Sequence, residues 1–71
     1  MKLSSIHSKE PYTIIHIEEN ELTHRLYDMG IFPNQIIEVI DRAPLGDPMV
    51  IQMDGQLIML RLSEADLITI E

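Results

Sequence analysis

The stretch MVIQMDGQLIMLRL, residues 49–62, predicts a β-hairpin. Two apolar runs flank Asp54-Gly55, a pair that suits a type I′ turn because this turn needs a positive φ at both central positions. A two-residue turn also fixes which side chains of the two strands face each other. The predicted pairs are Ile51 with Ile58, Met49 with Leu60, and Val50 with Met59. The first two pairs are predicted to face the core, and the third lies on a face that is only partly polar.

The segment before the hairpin predicts a rigid loop between two strands. Residues 43–48 read APLGDP, and the strand-like run Ile36–Ile40 precedes them. Each proline favours an extended conformation in the residue before it, and Gly46 relieves strain in the turn between them. Leu45 lies in the middle of this loop, where it either presents a docking surface or folds back over the core.

The first strand is predicted at residues 12–17, YTIIHI, which are β-branched and aromatic. Strict alternation along a strand places successive side chains on opposite faces of the sheet. One predicted face carries Tyr12, Ile14 and His16, and the other carries Thr13, Ile15 and Ile17.

A short helix is predicted after this strand, with Asn20 as its N-terminal cap. Its apolar residues are spaced by four and then by three, which forms one narrow stripe. They are Leu22, Leu26 and Met29. Gly30 suits the left-handed position just past the helix, where Ile31 would contact Leu26 in a Schellman-type ending, and Pro33 prevents the helix from resuming.

The end of the chain predicts one helical turn and a last strand. Ser63 and Asp66 resemble a capping box, and Leu67–Ile70 returns to strand composition. The whole pattern predicts one domain over residues 1–71 with an all-β fold and a small helical content. We expect an SH3-like barrel of about five short strands, with one helix after the first strand and a short helical turn before the last.

Composition excludes several classes of protein. Twelve acidic residues against five basic ones give a net charge of −7, which opposes binding to nucleic acid or to anionic lipid. The chain has no cysteine, and Met1–Glu10 lacks the apolar run of a signal peptide or a membrane span, so we expect a cytoplasmic protein. The three glycines each have a structural role and no nucleophile elbow is present, so an enzyme is not expected.

Three motifs in order resemble the FeoA family. They are Arg25-Leu26-Tyr27-Asp28-Met29-Gly30-Ile31 followed by Pro33, then Ala43-Pro44-Leu45-Gly46-Asp47-Pro48, then Leu60-Arg61 with Glu64-Ala65. The resemblance implies an SH3-like fold and a cytoplasmic accessory role toward FeoB, the membrane protein that moves ferrous iron and carries a GTPase domain. The same module is similar to the C-terminal domain of iron-dependent repressors, but the chain has no helix-turn-helix segment, so a DNA-binding regulator is not expected.

The leading hypothesis is therefore an adaptor that docks on the FeoB transporter through two surfaces, the end of the helix and the proline-rich loop. The candidate contact residues are Tyr27, Met29, Ile31, Pro44, Leu45, Gly46, Asp47 and Pro48. The stripe of the helix favours a core role, and Tyr27 and Met29 at its margin are the residues that would meet a partner.

The alternative hypothesis is a small metal-binding or metal-sensing module. Imidazole and carboxylate groups bind ferrous iron and zinc, and the weak candidate ligands form two pairs. The pairs are His16 with Glu18 on the first strand and His24 with Asp28 on the helix. A site needs three or four converging ligands, so we expect no resident cofactor and at most weak Fe²⁺ or Zn²⁺ binding.

A third class is a self-assembling structural protein. The partly apolar outer face of the hairpin, with Val50 and Met59, is the feature that would support a homo-oligomer.

Overall fold

The computed structural model describes all residues 1–71 and shows five antiparallel strands with two small helices. The strands are β1 (Pro11–Ile17), β2 (Ile36–Arg42), β3 (Met49–Met53), β4 (Gln56–Leu60) and β5 (Ile68–Ile70), and the helices are α1 (Thr23–Asp28) and α2 (Leu62–Ala65). Their order across the sheet is β4-β3-β2-β1-β5. The predicted number of strands is confirmed, as is the order of the elements, with one helix after the first strand and a helical turn before the last. No helix in the structure is both long and apolar enough to cross a membrane.

The hairpin of β3 and β4 forms as predicted. Asp54 and Gly55 both have positive φ, 51° and 76°, as a type I′ turn requires. The observed partners are Met49 with Leu60, Val50 with Met59, and Ile51 with Ile58. The strand β4 ends at Leu60, before the end of the apolar run, because Leu62 already belongs to α2.

The predicted two-face alternation of β1 is wrong beyond Ile14. The pairing of β1 with β5 shifts register between Ile14 and His16, which is a β-bulge. A bulge inserts one extra residue and reverses the faces that follow it. As a result Ile14 and Ile17 are both buried, whereas Ile15 and His16 are both exposed.

The helix α1 begins later than predicted. Leu22 occupies the N-cap position of α1, and no side chain caps the helix there. The Asn20 side chain instead accepts a hydrogen bond from the Leu22 N–H at 2.6 Å, and the Asn20 N–H donates to the Thr23 hydroxyl at 2.8 Å. Asn20 therefore shapes the turn that leads into α1 rather than its first helical residues.

The end of α1 is the predicted Schellman motif. The Ile31 N–H donates to the Leu26 carbonyl at 3.0 Å, and the Gly30 N–H donates to the Tyr27 carbonyl at 2.9 Å. Gly30 has a φ of 83°, which glycine adopts without steric cost. Leu26 and Ile31 are both buried in the same core.

The predicted capping box of Ser63 and Asp66 is wrong. Arg61 is the N-cap residue of α2, and the Glu64 carboxylate accepts the Arg61 N–H at 3.0 Å. Glu64 is buried and lies three residues after the cap, which is the position from which a glutamate reaches back to the cap N–H.

The N-terminal residues belong to the folded core. A short 3-10 helix at Leu3–Ser5 places Leu3 in the core with 0% of its surface exposed, and Ile6 is also buried. Ahead of it, the Met1 carbonyl accepts the Ile70 N–H at 2.8 Å, and Lys2 forms a β-bridge with Thr69. The first residues of the chain therefore cover the outer edge of β5.

Candidate partner-docking site

The loop between β2 and β3, residues 43–48, is closed by its own backbone. The Ala43 N–H donates to the Pro48 carbonyl at 3.0 Å, and the Gly46 N–H donates to the Ala43 carbonyl at 2.7 Å. Gly46 has a φ of 88°, so the predicted role of this glycine in the turn is confirmed. These bonds hold the loop in one shape before any partner arrives.

Two further contacts fasten this loop to neighbouring elements. The Asp47 carboxylate accepts the Leu62 N–H at 3.2 Å, which ties the loop to the start of α2. At its base, the Arg42 guanidinium donates to the Ser4 carbonyl and so connects β2 to the N-terminal turn. Asp47 is thus exposed and also stabilises the position of the loop.

Leu45 lies at the tip of this loop with 95% of its surface exposed. Of the two predicted alternatives, the structure supports exposure, because the side chain does not fold back over the core. A single exposed leucine on a protein surface is common. Leu45 differs in being fixed by a hydrogen-bonded loop, which lowers the conformational entropy lost on binding.

The second candidate surface is the corner between α1 and β2. Tyr27 and Phe32 stack with their ring centroids 5.4 Å apart and their planes 9° from parallel. The Gln35 side chain braces the corner, since it accepts the Phe32 N–H at 2.6 Å and donates to the Gly30 carbonyl at 2.8 Å. Phe32 was not among the predicted contact residues, although an aromatic residue two positions after the helix stop at Gly30 was the available signal.

Two predicted contact residues at this corner have different roles. Ile31 is fully buried, so it is a core residue and we remove it from the proposed surface. Met29 is partly buried and packs against the core cluster, which leaves only part of its side chain for a partner. The exposed part of the corner is therefore dominated by Phe32 and Tyr27.

The two surfaces do not merge into one patch. The corner directly precedes β2 and the loop directly follows it, so they lie at opposite ends of a seven-residue strand. At a rise of about 3.3 Å per residue, their separation is about 20 Å. A partner that contacts both surfaces must extend along most of the molecule, which measures 27 × 22 × 21 Å.

Of the two candidate metal pairs, the structure brings only one together. His24 Nε2 lies 3.6 Å from Asp28 Oδ2 on the exposed side of α1. His16 and Glu18 are both exposed, on either side of the last buried residue of β1, and no contact joins them. No group of three histidine or acidic side chains converges anywhere in the structure. His24 and Asp28 can supply two ligands at most.

Comparison with known proteins identifies the family. The protein-family model of the FeoA domain matches residues 1–71 of the sequence. No match was found among curated protein sequences.

Solved structures agree with the family match. The iron(II) transport protein A from Clostridium thermocellum is 43% identical with a TM-score of 0.91, and the match covers 100% of this chain and 44% of that one. A FeoA-like protein from Clostridium acetobutylicum is 32% identical with a TM-score of 0.93, and the match covers 100% of this chain and 84% of that one. This chain therefore spans less than half the length of the first relative but most of the second.

A more distant structure supports the fold alone. The FeoA of Stenotrophomonas maltophilia complexed with zinc, described as a prokaryotic SH3 domain protein, is 20% identical with a TM-score of 0.84. The match covers 100% of this chain and 89% of that one. The predicted SH3-like barrel is confirmed. Because the family model matches the whole chain and two relatives exceed 30% identity over all of it, the chain belongs to the FeoA family.

Proposed function

We propose that this chain is a cytoplasmic, non-enzymatic accessory protein of ferrous iron uptake that docks on a FeoB-type membrane transporter and modulates it. Membership of the FeoA family supports this function, as does the name of the Clostridium thermocellum relative, an iron(II) transport protein. The negative charge of −7 favours a basic surface on the partner and disfavours nucleic acid.

The observation that carries the proposal is the exposed Leu45 on a loop that is already ordered. The loop is braced by backbone bonds within residues 43–48 and by the bond from the Leu62 N–H to Asp47. A partner pocket that accepts Leu45 would bury an apolar side chain without first having to order the loop. Because one leucine supplies most of the apolar area, we expect a modest affinity.

The test is a pull-down of detergent-solubilised FeoB from the same organism, with and without guanine nucleotide. Leu45→Glu should abolish binding, because it places a charge where the proposed pocket is apolar. Ile15→Glu is the control, since Ile15 is an exposed apolar side chain on β1, outside the loop and the corner. If Leu45→Glu binds as well as the wild type, the loop is not the docking site.

The aromatic corner is tested by a third variant in the same experiment. Phe32→Glu introduces a charge at an exposed position beside Tyr27. Loss of binding in this variant, together with loss in Leu45→Glu, would indicate a partner that extends along β2. Retained binding would confine the interface to the loop.

Metal binding is the second candidate function, and the approach of His24 to Asp28 is the observation that favours it. Two ligands bind zinc weakly, because structural and catalytic sites use three or four. Calorimetric titration with Zn²⁺ should therefore show weak heat that His24→Ala removes and His16→Ala leaves unchanged. Tight one-to-one binding that survives His24→Ala would place the metal site elsewhere.

A further inference from the structure

The strand β4 forms an open edge of the sheet. On one side it pairs with β3 along its whole length, from Gln56 to Leu60, and no hydrogen bond of the structure involves its other side. The opposite edge of the sheet is different, because Met1 and Lys2 cover β5 there. Only the β4 edge presents a row of unpaired backbone groups over a full strand.

This edge lacks the features that normally prevent strands from pairing between molecules. Proteins protect open edges with charged side chains, proline or a bulge. The sequence of β4, QLIML, has no charge and no proline, and its pairing with β3 is regular. Leu57 and Met59 are 67% and 65% exposed on the outer face of the strand. An uncharged apolar edge is unusual in a chain whose net charge is −7.

The hairpin geometry determines which backbone groups are free. In a hairpin with a two-residue turn, the residues flanking the turn exchange both hydrogen bonds, and every second pair along the ladder does the same. These flanking residues are Met53 and Gln56. Gln56, Ile58 and Leu60 therefore bond to β3, and Leu57 and Met59 direct their N–H and C=O groups to the open edge.

We propose that β4 pairs antiparallel with β4 of a second copy of this chain, about a two-fold axis at Ile58. In this register, Leu57 of each copy lies opposite Met59 of the other copy. All the free N–H and C=O groups of both strands are then satisfied by four hydrogen bonds. The exposed side chains of Leu57 and Met59 meet as cross-strand apolar pairs on one face. The surface is thus complementary to itself, as a two-fold interface requires.

The flanking charges fit the same register. Arg61 is extended and exposed just after β4, and pairing about Ile58 places it opposite Gly55 of the second copy. Its guanidinium then lies next to Asp54 of that copy. Within one chain, neither Arg61 nor Asp54 forms an ion pair. Opposite charges at both ends of the paired strands favour this register over one shifted along the edge.

The dimer is expected to be weak. Stable specific interfaces bury about 1,200–2,000 Å² in total. Two five-residue strands with two apolar pairs between them fall at or below the lower end of this range. We therefore expect the dimer to have a dissociation constant in the high micromolar range, so the fraction of dimer should rise with protein concentration.

Two measurements on the wild type test the pairing. Sedimentation equilibrium from micromolar to millimolar concentration should show a monomer–dimer equilibrium. Amide hydrogen exchange followed by NMR should show that the N–H groups of Leu57 and Met59 become protected as concentration rises, whereas that of Ile58 is protected throughout by β3. A monomer at millimolar concentration with unchanged exchange at Leu57 and Met59 overturns the proposal.

Charge variants test the register. Leu57→Glu should weaken dimerisation at least tenfold, and the double variant Leu57→Glu/Met59→Lys should restore it, because the two-fold at Ile58 sets the introduced charges of opposite sign across from each other. In a register centred on residue 57, the double variant would instead place the two introduced glutamates opposite each other. If the double variant does not restore dimerisation, the two-fold axis at Ile58 is wrong. Both positions are exposed, and thermal unfolding by circular dichroism verifies that each variant folds.

Leu45→Glu separates this inference from the proposed docking on the transporter. This variant should lose FeoB binding and keep the monomer–dimer equilibrium, because Leu45 lies outside β4. If protection of Leu57 and Met59 appears only when FeoB or an added extended peptide is present, then the edge pairs with another protein's strand, and the second-copy proposal is wrong.

Discussion

Truncation of Leu3 tests whether the N-terminal segment is part of the core. Leu3→Ala removes three carbon atoms from a side chain that is 0% exposed. At about 0.8 kcal/mol per buried methylene, the lost transfer free energy is about 2.4 kcal/mol, and the cavity left behind raises the cost to about 3 kcal/mol. A domain of this size is stable by about 4–10 kcal/mol, so the change removes a large fraction of the free energy of unfolding.

Urea denaturation measures this cost. With a slope of about 1 kcal/mol per molar urea for a small domain, Leu3→Ala should lower the midpoint by about 3 M. Leu45→Ala is the matched control, since it makes the same change at a leucine that is 95% exposed and should cost less than about 0.5 kcal/mol. Equal midpoints for Leu3→Ala and Leu45→Ala would show that the N-terminal turn does not pack as described.

Three further substitutions have defined effects on stability, each measured by the same denaturation. Gly30→Ala should cost about 1–2 kcal/mol, because the φ of 83° at Gly30 is strained for alanine although no atom obstructs its methyl group. A double-mutant cycle of Tyr27→Ala and Phe32→Ala should give a coupling energy of about 0.5–1.5 kcal/mol from the stacked rings, and additive costs would show that the stacking contributes nothing. Glu64→Ala should cost about 1–3 kcal/mol because it leaves the Arg61 N–H without its acceptor, and a neutral result would contradict the cap at the start of α2.

The parts of the fold that the sequence predicted well depend on local stereochemistry. Asp54-Gly55 determines the turn and hence the register of β3 and β4, because few other residue pairs adopt two consecutive positive φ angles. Gly30 determines the end of α1 for the same reason. At both positions the residue type alone restricts the backbone, so the structure follows from a few neighbouring residues.

The features that were missed depend on contacts between distant parts of the chain. The bulge at Ile15 arises from the pairing of β1 with β5, and alternation along β1 gives no sign of it. The burial of Leu3 depends on β5 and α2, which the 3-10 helix at Leu3–Ser5 contacts, although the spacing of three residues between Leu3 and Ile6 was a weak signal for one buried face. Neither feature can be derived from a window of ten residues.

The candidate site was predicted in outline. The shape of the proline-rich loop follows from its residue types, but the exposure of Leu45 depends on what packs beneath the loop, and the sequence left both alternatives open. Tyr27 and Phe32 are neighbours only because the chain reverses at Gly30, so their stacking could be predicted only after the end of α1 had been located. The distance between this corner and the loop follows from the length of β2.

The bond between the two ends of the chain has a consequence for folding kinetics. Met1 and Ile70 are hydrogen-bonded although they are 69 residues apart, and β1 pairs with β5 across most of the sequence. Non-local contacts of this kind raise the contact order and slow folding toward the millisecond-to-second range of small β-barrels. During synthesis, β5 leaves the ribosome after β1, β2, β3 and β4, so Leu3 and Ile14 are not packed against β5 until then. The early hairpin of β3 and β4 can form beforehand, but the sheet can be completed only after translation has passed Ile70.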